Sequence, residues 1–133
     1  MKFIDFNNNQ RSIDLSKAKK RTNNNKSKGC QQLYDYVRNL WPQFDIFEEF
    51  PCLGTKLKLD LFIPLMRIAF EFDGKQHDEF NSFFHKDRYV FAKSKINDIE
   101  KEQWCDINKV KLIRIKDSDL VDLHNVIRKA MLS

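Results

Sequence analysis

The chain has 133 residues and a formal net charge of +5, and 41% of its residues are apolar, with 12 phenylalanines. This length and composition predict one globular domain with an aromatic-rich core, and they exclude a second catalytic module. The chain lacks any run of about 20 apolar residues and an apolar signal segment at its start, which predicts a soluble protein that is not secreted. Three widely spaced cysteines, Cys30, Cys52 and Cys105, do not form a disulfide pattern and predict a reducing, intracellular compartment.

The positive charge is concentrated at the start of the chain. Residues 1–28 carry eight basic and two acidic side chains, a net charge of +6, so the rest of the chain carries −1. This asymmetry and the abundance of asparagine predict a basic N-terminal arm over residues 1–26, followed by one domain over residues 27–133. The arm either neutralises nucleic-acid phosphates or serves as a solubilising tail. Its predicted phosphate-binding residues are Lys17, Lys19, Lys20, Arg21, Lys26 and Lys28.

After the arm, hydrophobic periodicity predicts the order α-β-β-β-α-β-α. The first helix begins near Ser27 and ends before Pro42, with one apolar side formed by Leu33, Tyr36, Val37 and Leu40. The predicted strands cover 44–50, 56–63, 67–74 and 110–115, a long helix covers 86–105, and Ser118 and Asp119 cap the last helix. A mixed α/β domain is therefore expected.

The long helix has two distinct sides. Its apolar side is formed by Tyr89, Ala92, Ile96 and Ile99, with Trp104 at its end, and its polar side carries Lys95, Asp98, Lys101 and Glu102. An amphipathic helix normally turns its apolar side toward the core. The apolar side is therefore expected to face the core.

Three carboxylates interrupt strands that are predicted to be buried. Asp60 lies in the second strand, and Glu71 and Asp73 share one side of the third. A buried charge is costly unless it is paired or binds a cation. A short return makes these strands antiparallel, so Asp60 and Glu71 are expected to be neighbours in an oxygen-rich site for Mg²⁺ or Mn²⁺, which can activate water at a phosphodiester. The alternative is ion pairing with Lys56, Lys58 and Arg67.

The run LKLDLFIPLMRIAFEFDGKQH (57–77) resembles the core signature of the PD-(D/E)XK nuclease superfamily, particularly its branch of very-short-patch repair endonucleases and related phage homing endonucleases. The resemblance covers about residues 27–116. It implies a restriction-endonuclease-like core with a central mixed sheet flanked by helices. It also implies a nuclease that requires Mg²⁺ or Mn²⁺.

The resemblance implies roles for particular residues. Asp60 and Glu71 match the family's two acidic ligands, with Asp73 as a further ligand and Lys75 beside it. His77 matches a family histidine that acts as a general base or phosphate ligand, although a plain loop residue is the alternative. The helix positions of the family are matched by Asp98 and Lys101, while His85 and Asp87 are interpreted as a helix-start cluster.

The first helix departs from the family pattern. Cys30, followed by Gln31, stands where a metal-binding glutamate is expected, and sulfur is a poor ligand for Mg²⁺. Glu48 or Glu49 could substitute, but one of the two must point away from the site because they are adjacent in a strand.

Three hypotheses about function follow. The first is a metal-dependent endonuclease in a phage, mobile-element or repair context, acting on DNA rather than RNA, alone or as a homodimer. The second is a catalytically inactive nuclease-like domain that binds nucleic acid or a protein partner, which Cys30 favours. The third is a zinc-stabilised domain using Cys105 with His77 and His85.

Overall fold

The computed structural model describes residues 1–18, 20, 27–74 and 88–133. The chain opens with a hairpin of two short strands, β1 (Lys2–Ile4) and β2 (Gln10–Ser12), and a 3-10 turn. The elements that follow are α1 (Lys28–Leu40), β3 (Phe47–Pro51), β4 (Lys58–Ile63), β5 (Ile68–Asp73), α2 (Arg88–Ile107), β6 (Lys111–Lys116) and α3 (Leu123–Leu132). From α1 onward this is the predicted order, and the fold is mixed α/β.

The central sheet has four strands in the order β3-β4-β5-β6. The first three strands are antiparallel, and β6 pairs with β5 in parallel. A parallel neighbour requires a crossover connection, and α2 lies in the connection between β5 and β6. The predicted short return between β4 and β5 is confirmed, since the 3-10 turn Pro64–Met66 joins them.

Helices cover both faces of this sheet and enclose two clusters of buried side chains. The first core lies beneath α1 and α3 and consists of Leu33, Tyr34, Val37, Ile46, Leu61, Ile63, Ile68, Phe70, Ile113, Ile115, Leu123 and Ile127. The second core lies on the α2 side and consists of Phe3, Phe47, Phe50, Cys52, Leu59, Phe62, Ala69, Trp104, Cys105 and Val110. Alternation along β5 explains the division, since Ile68 and Phe70 enter the first core and Ala69 enters the second.

Helix α1 begins where the sequence predicts, directly after Ser27. The Cys30 N–H donates to the Ser27 side-chain oxygen at 3.1 Å, which fixes the first turn. The helix approaches the sheet so closely at Gly29 that an added Cβ would collide with the ring of Phe72. The predicted apolar side is only partly buried, since Leu40 at its end is 43% exposed, while Tyr34, which was not assigned to that side, is buried.

Most of the apolar side predicted for α2 faces solvent rather than the core, and this part of the prediction is wrong. Ile96 and Ile99 are more than half exposed, whereas the side chains of Asp98 and Lys101 are less than one-fifth exposed. The reason is electrostatic, because the end of the sheet beneath this helix carries charged groups that need counter-charges. Only the C-terminal part of α2 buries apolar groups, through Trp104 and Cys105. No helix in the described ranges combines the length and the apolarity needed to cross a membrane.

The N-terminal hairpin packs onto the second core. Phe3 is 1% exposed, and its ring centroid lies 5.1 Å from that of Trp104. The Asn108 side chain accepts from the Ile4 N–H at 2.7 Å and donates to the Ile4 carbonyl at 2.9 Å. The first part of the segment predicted as an arm is therefore built into the packed protein, while the role of its basic residues stays a prediction.

Candidate active site

The site lies where β4 and β5 separate. Their regular pairing ends at Leu61 and Phe70. Just beyond that point, the Asp60 N–H donates to Glu71 Oε2 at 2.6 Å, and the Phe72 N–H donates to Asp60 Oδ2 at 2.9 Å. The two carboxylates thus accept from backbone N–H groups on the opposite strand. The prediction that Asp60 and Glu71 are close neighbours is confirmed.

Glu71 is almost fully buried in the site. It is 3% exposed, and Lys101 Nζ donates to its Oε1 at 2.5 Å. Burial raises the pKa of Glu71 to about 7, and the negative charge of Asp60 adds to this effect, while Lys101 opposes it. Glu71 is therefore divided between its neutral and ionised forms near neutral pH.

Lys101 stays charged despite its burial. Burial alone would lower the pKa of Lys101, but the charge of Glu71 and the hydrogen bond to it outweigh this effect and raise the pKa. The half-buried Asp60 acts in the same direction. The side chain is therefore a proton donor and a positive charge at neutral pH.

Arg114 connects the remaining charged groups. It lies in β6 directly beside Glu71 in the parallel register. Its Nε donates to Glu102 Oε1 at 2.9 Å, and its Nη2 donates to the Asp98 carbonyl at 2.7 Å. Its Nη1 lies 3.7 Å from Asp73 Oδ1 and 3.6 Å from Asp98 Oδ1. Arg114 therefore ties α2 to the sheet beside Glu71.

Glu49 is the member of the Glu48–Glu49 pair that faces this site. A cleft of about 350 Å³ opens between α2 and the ends of β3 and β4, and Glu49, Asp60 and Lys101 line it together. Glu49 has a left-handed φ of 49°. Glu48 pairs with Leu61 of the first core and is 4% exposed, so it points toward the other face of the sheet. The remaining lining residues of the cleft are Lys56, Leu57, Lys58, Ser94, Asn97 and Asp98.

The structure brings some of the predicted site residues together and leaves others outside the described residues. Asp60, Glu71 and Lys101 are in direct contact, and Asp73 and Asp98 are joined through Arg114. Within the described ranges, no group of three or more His, Cys, Asp or Glu side chains is arranged to hold a metal ion. Predictions for Lys75, His77, His85 and Asp87 fall outside the described residues.

Cys30 and Gln31 lie on the other side of the sheet from the paired carboxylates. They belong to the first turn of α1, which packs on the first core, and Cys30 is buried. Glu71 points toward α2, since it contacts Lys101. The first helix thus approaches the sheet from the face opposite to Glu71.

The cysteines of the second core are poorly suited to zinc. Burial raises the pKa values of Cys52 and Cys105 to about 12, so both thiols stay protonated at neutral pH. Zinc binds the thiolate, and deprotonation at these positions is costly. The other residues of the zinc hypothesis, His77 and His85, lie outside the described residues.

The predicted phosphate-binding lysines are spread along the surface. Lys17, Lys20 and Lys28 are exposed, whereas Lys19, Arg21 and Lys26 lie outside the described residues. Lys20 forms a bridge with Phe47 at the edge of β3, and its Nζ lies 3.5 Å from Asp45 Oδ2. The basic segment therefore meets the sheet at its β3 edge.

Arg114 was not predicted as a site residue. One signal was present, because Arg114 interrupts the buried strand VKLIRI much as Asp60 interrupts KLDLFI. A charged residue inside a buried strand needs a partner. Its neighbours, however, follow from the parallel pairing of β6 with β5, which no local pattern specifies.

No family model matches the chain, and no solved structure matches it. The chain is 35% identical over 65 residues to "Uncharacterized protein 033L" of Invertebrate iridescent virus 3, covering 49% of this chain and 34% of that protein. It is 32% identical over 59 residues to "Uncharacterized protein 307L" of Invertebrate iridescent virus 6, covering 44% of this chain and 30% of that protein. The aligned region thus spans about one third of the length of these relatives.

Proposed function

We propose that the chain is a metal-dependent nuclease that hydrolyses phosphodiester bonds, in DNA rather than RNA, with Asp60 and Glu71 as the metal-binding residues. One observation carries the proposal. Glu71 is 3% exposed beside a second carboxylate, and its pKa is raised to about 7. Such an arrangement is costly for folding and is typical of functional sites. A divalent cation would relieve the cost, because it stabilises the ionised forms of both carboxylates.

The donor set fits Mg²⁺ or Mn²⁺. Asp60 and Glu71 offer hard carboxylate oxygens, which these ions prefer over sulfur or imidazole. Glu49 lines the same cleft as Asp60. When bound, such an ion would activate water and stabilise the negative charge that develops on a phosphodiester.

The chain's own residues would position the substrate. Lys101 presents an ammonium group in the cleft beside Glu71, where it would stabilise a phosphate oxygen or protonate a leaving oxygen. Lys56 and Lys58 are exposed on the rim of the same cleft and would attract the phosphate backbone. Arg114 would keep α2, and with it Lys101, fixed against β5 and β6.

The element order supports the finer assignment to a restriction-endonuclease-like core. From α1 to β6 the order is α-β-β-β-α-β, with three antiparallel strands and a fourth in parallel. This is the order that the resemblance to the PD-(D/E)XK nucleases implies. The viral origin of two relatives supports a viral or mobile-element setting.

Cleavage of supercoiled plasmid in Mg²⁺ or Mn²⁺ tests the proposal. Asp60→Asn and Glu71→Gln should each lower the cleavage rate by about 100-fold or more, since each removes a charge that acts in the transition state. Asp35→Asn is the matched control, because Asp35 is an exposed acid on α1 that accepts a hydrogen bond from Gln31. Undiminished cleavage by both site variants would refute the site, and equal loss in the control would point to a general effect of charge.

A catalytically inactive nucleic-acid-binding domain is the second candidate. It is favoured by the direct contact of Lys101 with Glu71, which already supplies that carboxylate with a counter-charge. This candidate predicts binding without cleavage of either DNA or RNA and no Mn²⁺ uptake by calorimetry. Its affinity for nucleic acid should fall as the salt concentration rises. Replacing Lys17 and Lys20 together by glutamine should reduce the slope of log affinity against log salt by about two, since each phosphate that a lysine neutralises contributes about 0.9.

A further inference from the structure

Helix α2 presents an apolar stripe to solvent. The stripe consists of Tyr89, Ala92, Ile96 and Ile99, of which Tyr89 is 69%, Ile96 54% and Ile99 53% exposed. Its members are separated by three, four and three residues, which places them on one line along the helix. This spacing is that of the contact seam of a coiled coil rather than of scattered surface residues. The opposite side of the helix is occupied by contacts with the sheet through Lys101 and Trp104.

The charges beside the stripe have an ordered arrangement. Lys93 and Glu100 flank one edge of the stripe, and Lys95 and Glu102 flank the other. The Glu102 side chain is 55% exposed while its Oε1 accepts from Arg114. On each edge the basic residue lies toward the N-terminal end of the helix and the acidic residue toward the C-terminal end. An antiparallel neighbour with the same sequence would therefore meet each lysine with a glutamate.

One register satisfies both edges at once. Placing Ile96 opposite Ile99 of a second copy brings Lys93 diagonally within reach of Glu100, and Lys95 diagonally within reach of Glu102, along the two edges of the seam. The same register places Ala92 opposite Gln103 of the second copy. Every contact occurs twice, as a two-fold axis requires. Parallel pairing is less favourable, since it matches Lys95 with Glu100 but brings Arg88 against Lys93.

We infer that α2 is a dimerisation helix, which pairs in antiparallel orientation with α2 of a second copy of this chain. The charge pattern favours a second copy over an unrelated partner. Each edge of the stripe carries a lysine and a glutamate that match the same edge of another copy when the two helices are antiparallel. The inference does not depend on the proposed nuclease activity. Lys101 lies on the opposite side of the helix, so the cleft stays open in the dimer.

Sedimentation equilibrium of the chain tests the pairing. A seam of a few helical turns is smaller than a standard protein interface, so the measurement should extend over about 5 to 500 µM. Ile96→Asp should weaken dimerisation by at least about tenfold, because it buries a charge in the seam. Val121→Asp is the control, since Val121 is 92% exposed and lies outside α2. A monomer at all concentrations, or equal effects of the two variants, would overturn the inference.

The charge pattern offers an independent test. Lys93→Glu should weaken the dimer by placing like charges opposite each other, and the double variant Lys93→Glu, Glu100→Lys should restore it. Failure of the double variant to recover would overturn the proposed register.

Cross-linking then determines the direction of pairing. Ala92→Cys and Gln103→Cys chains, mixed and oxidised, should form a disulfide-linked heterodimer, while Ala92→Cys alone should not link. The three native cysteines are buried, so the chain without added cysteines measures the background level of cross-linking. Efficient linking of Ala92→Cys to itself would indicate parallel pairing and refute the antiparallel dimer.

Discussion

The two faces of the central sheet are buried by different chemistry. The face beneath α1 and α3 is packed almost throughout by aliphatic and aromatic side chains. The face beneath α2 is aromatic around Trp104 and charged around Glu71, Lys101 and Arg114. Neighbouring residues of β5 separate the two, since Phe70 enters the first core and Glu71 enters the charged region.

This difference has a consequence for stability. Burial of an apolar side chain is favourable with almost any apolar neighbour, and it does not depend on pH. A buried carboxylate needs a particular partner, and its free energy depends on protonation. The first face therefore stabilises the fold. The charged part of the second face lowers the net stability, because its buried carboxylate must be held beside particular partners.

Truncation on the apolar face should have the largest effect on stability. Phe70 is fully buried, so Phe70→Ala should lower the free energy of unfolding by about 3 to 5 kcal/mol. Urea unfolding at pH 5 and pH 8 should give the same loss, because no titrating group is involved. A loss that changes with pH would show that the two faces are coupled.

Removing the positive charge of Lys101 should have the second-largest effect on stability. Lys101→Met leaves Glu71 without its counter-charge and should destabilise the chain by about 3 kcal/mol at pH 8. The loss should be smaller at pH 5, where Glu71 is protonated, since its pKa of about 7 rises further without Lys101. In a Glu71→Gln background the same Lys101→Met change should cost much less, and an equal cost in both backgrounds would argue against the pairing.

Replacing Glu71 with a neutral residue should stabilise the chain rather than destabilise it. The folded chain holds this proton up to about pH 7, whereas an ordinary glutamate loses it near 4.5, so the stability of the wild type falls as pH rises between these values. Glu71→Gln should therefore be more stable than the wild type above pH 7, by at most about 3 kcal/mol. In this variant Lys101 still has a counter-charge, because the negative charge of Asp60 is nearby.

Urea unfolding in EDTA at pH 5, 6, 7 and 8 would measure this effect. The difference between Glu71→Gln and the wild type should grow with pH and level off above about pH 7. Added Mn²⁺ should reduce the difference if the proposed site binds it, because the ion stabilises ionised Glu71. A difference that is constant with pH would mean that Glu71 is ionised throughout.

Arg114→Lys should have the smallest of these effects. Lysine keeps the charge but cannot reproduce the separate Nε and Nη2 hydrogen bonds to Glu102 and to the Asp98 carbonyl. A destabilisation of about 1 to 2 kcal/mol is expected, the scale of one hydrogen bond to a charged group. An unchanged midpoint of thermal unfolding would show that Arg114 does not fix α2.

Local patterns were sufficient to predict much of the fold and one pair of site residues. The alternation of β5 separates Phe70 from Glu71, and Ser27 caps α1 as its type and position suggest. The tight return at Pro64 brings Asp60 beside Glu71 because antiparallel strands joined by a short turn have one register. In these cases the contacts lie within a few residues of a turn or a cap.

The sequence by itself determined the helices and strands from α1 onward, the antiparallel order of β4 and β5 and the pairing of Asp60 with Glu71. Only the tertiary structure decided that the apolar stripe of α2 stays exposed, that Arg114 of β6 lies beside Glu71, and that Phe3 completes the second core. The physical reason is that a helix buries whichever side lowers the total free energy. Here the charge of Glu71, distant in sequence, outweighed the apolar stripe of the helix.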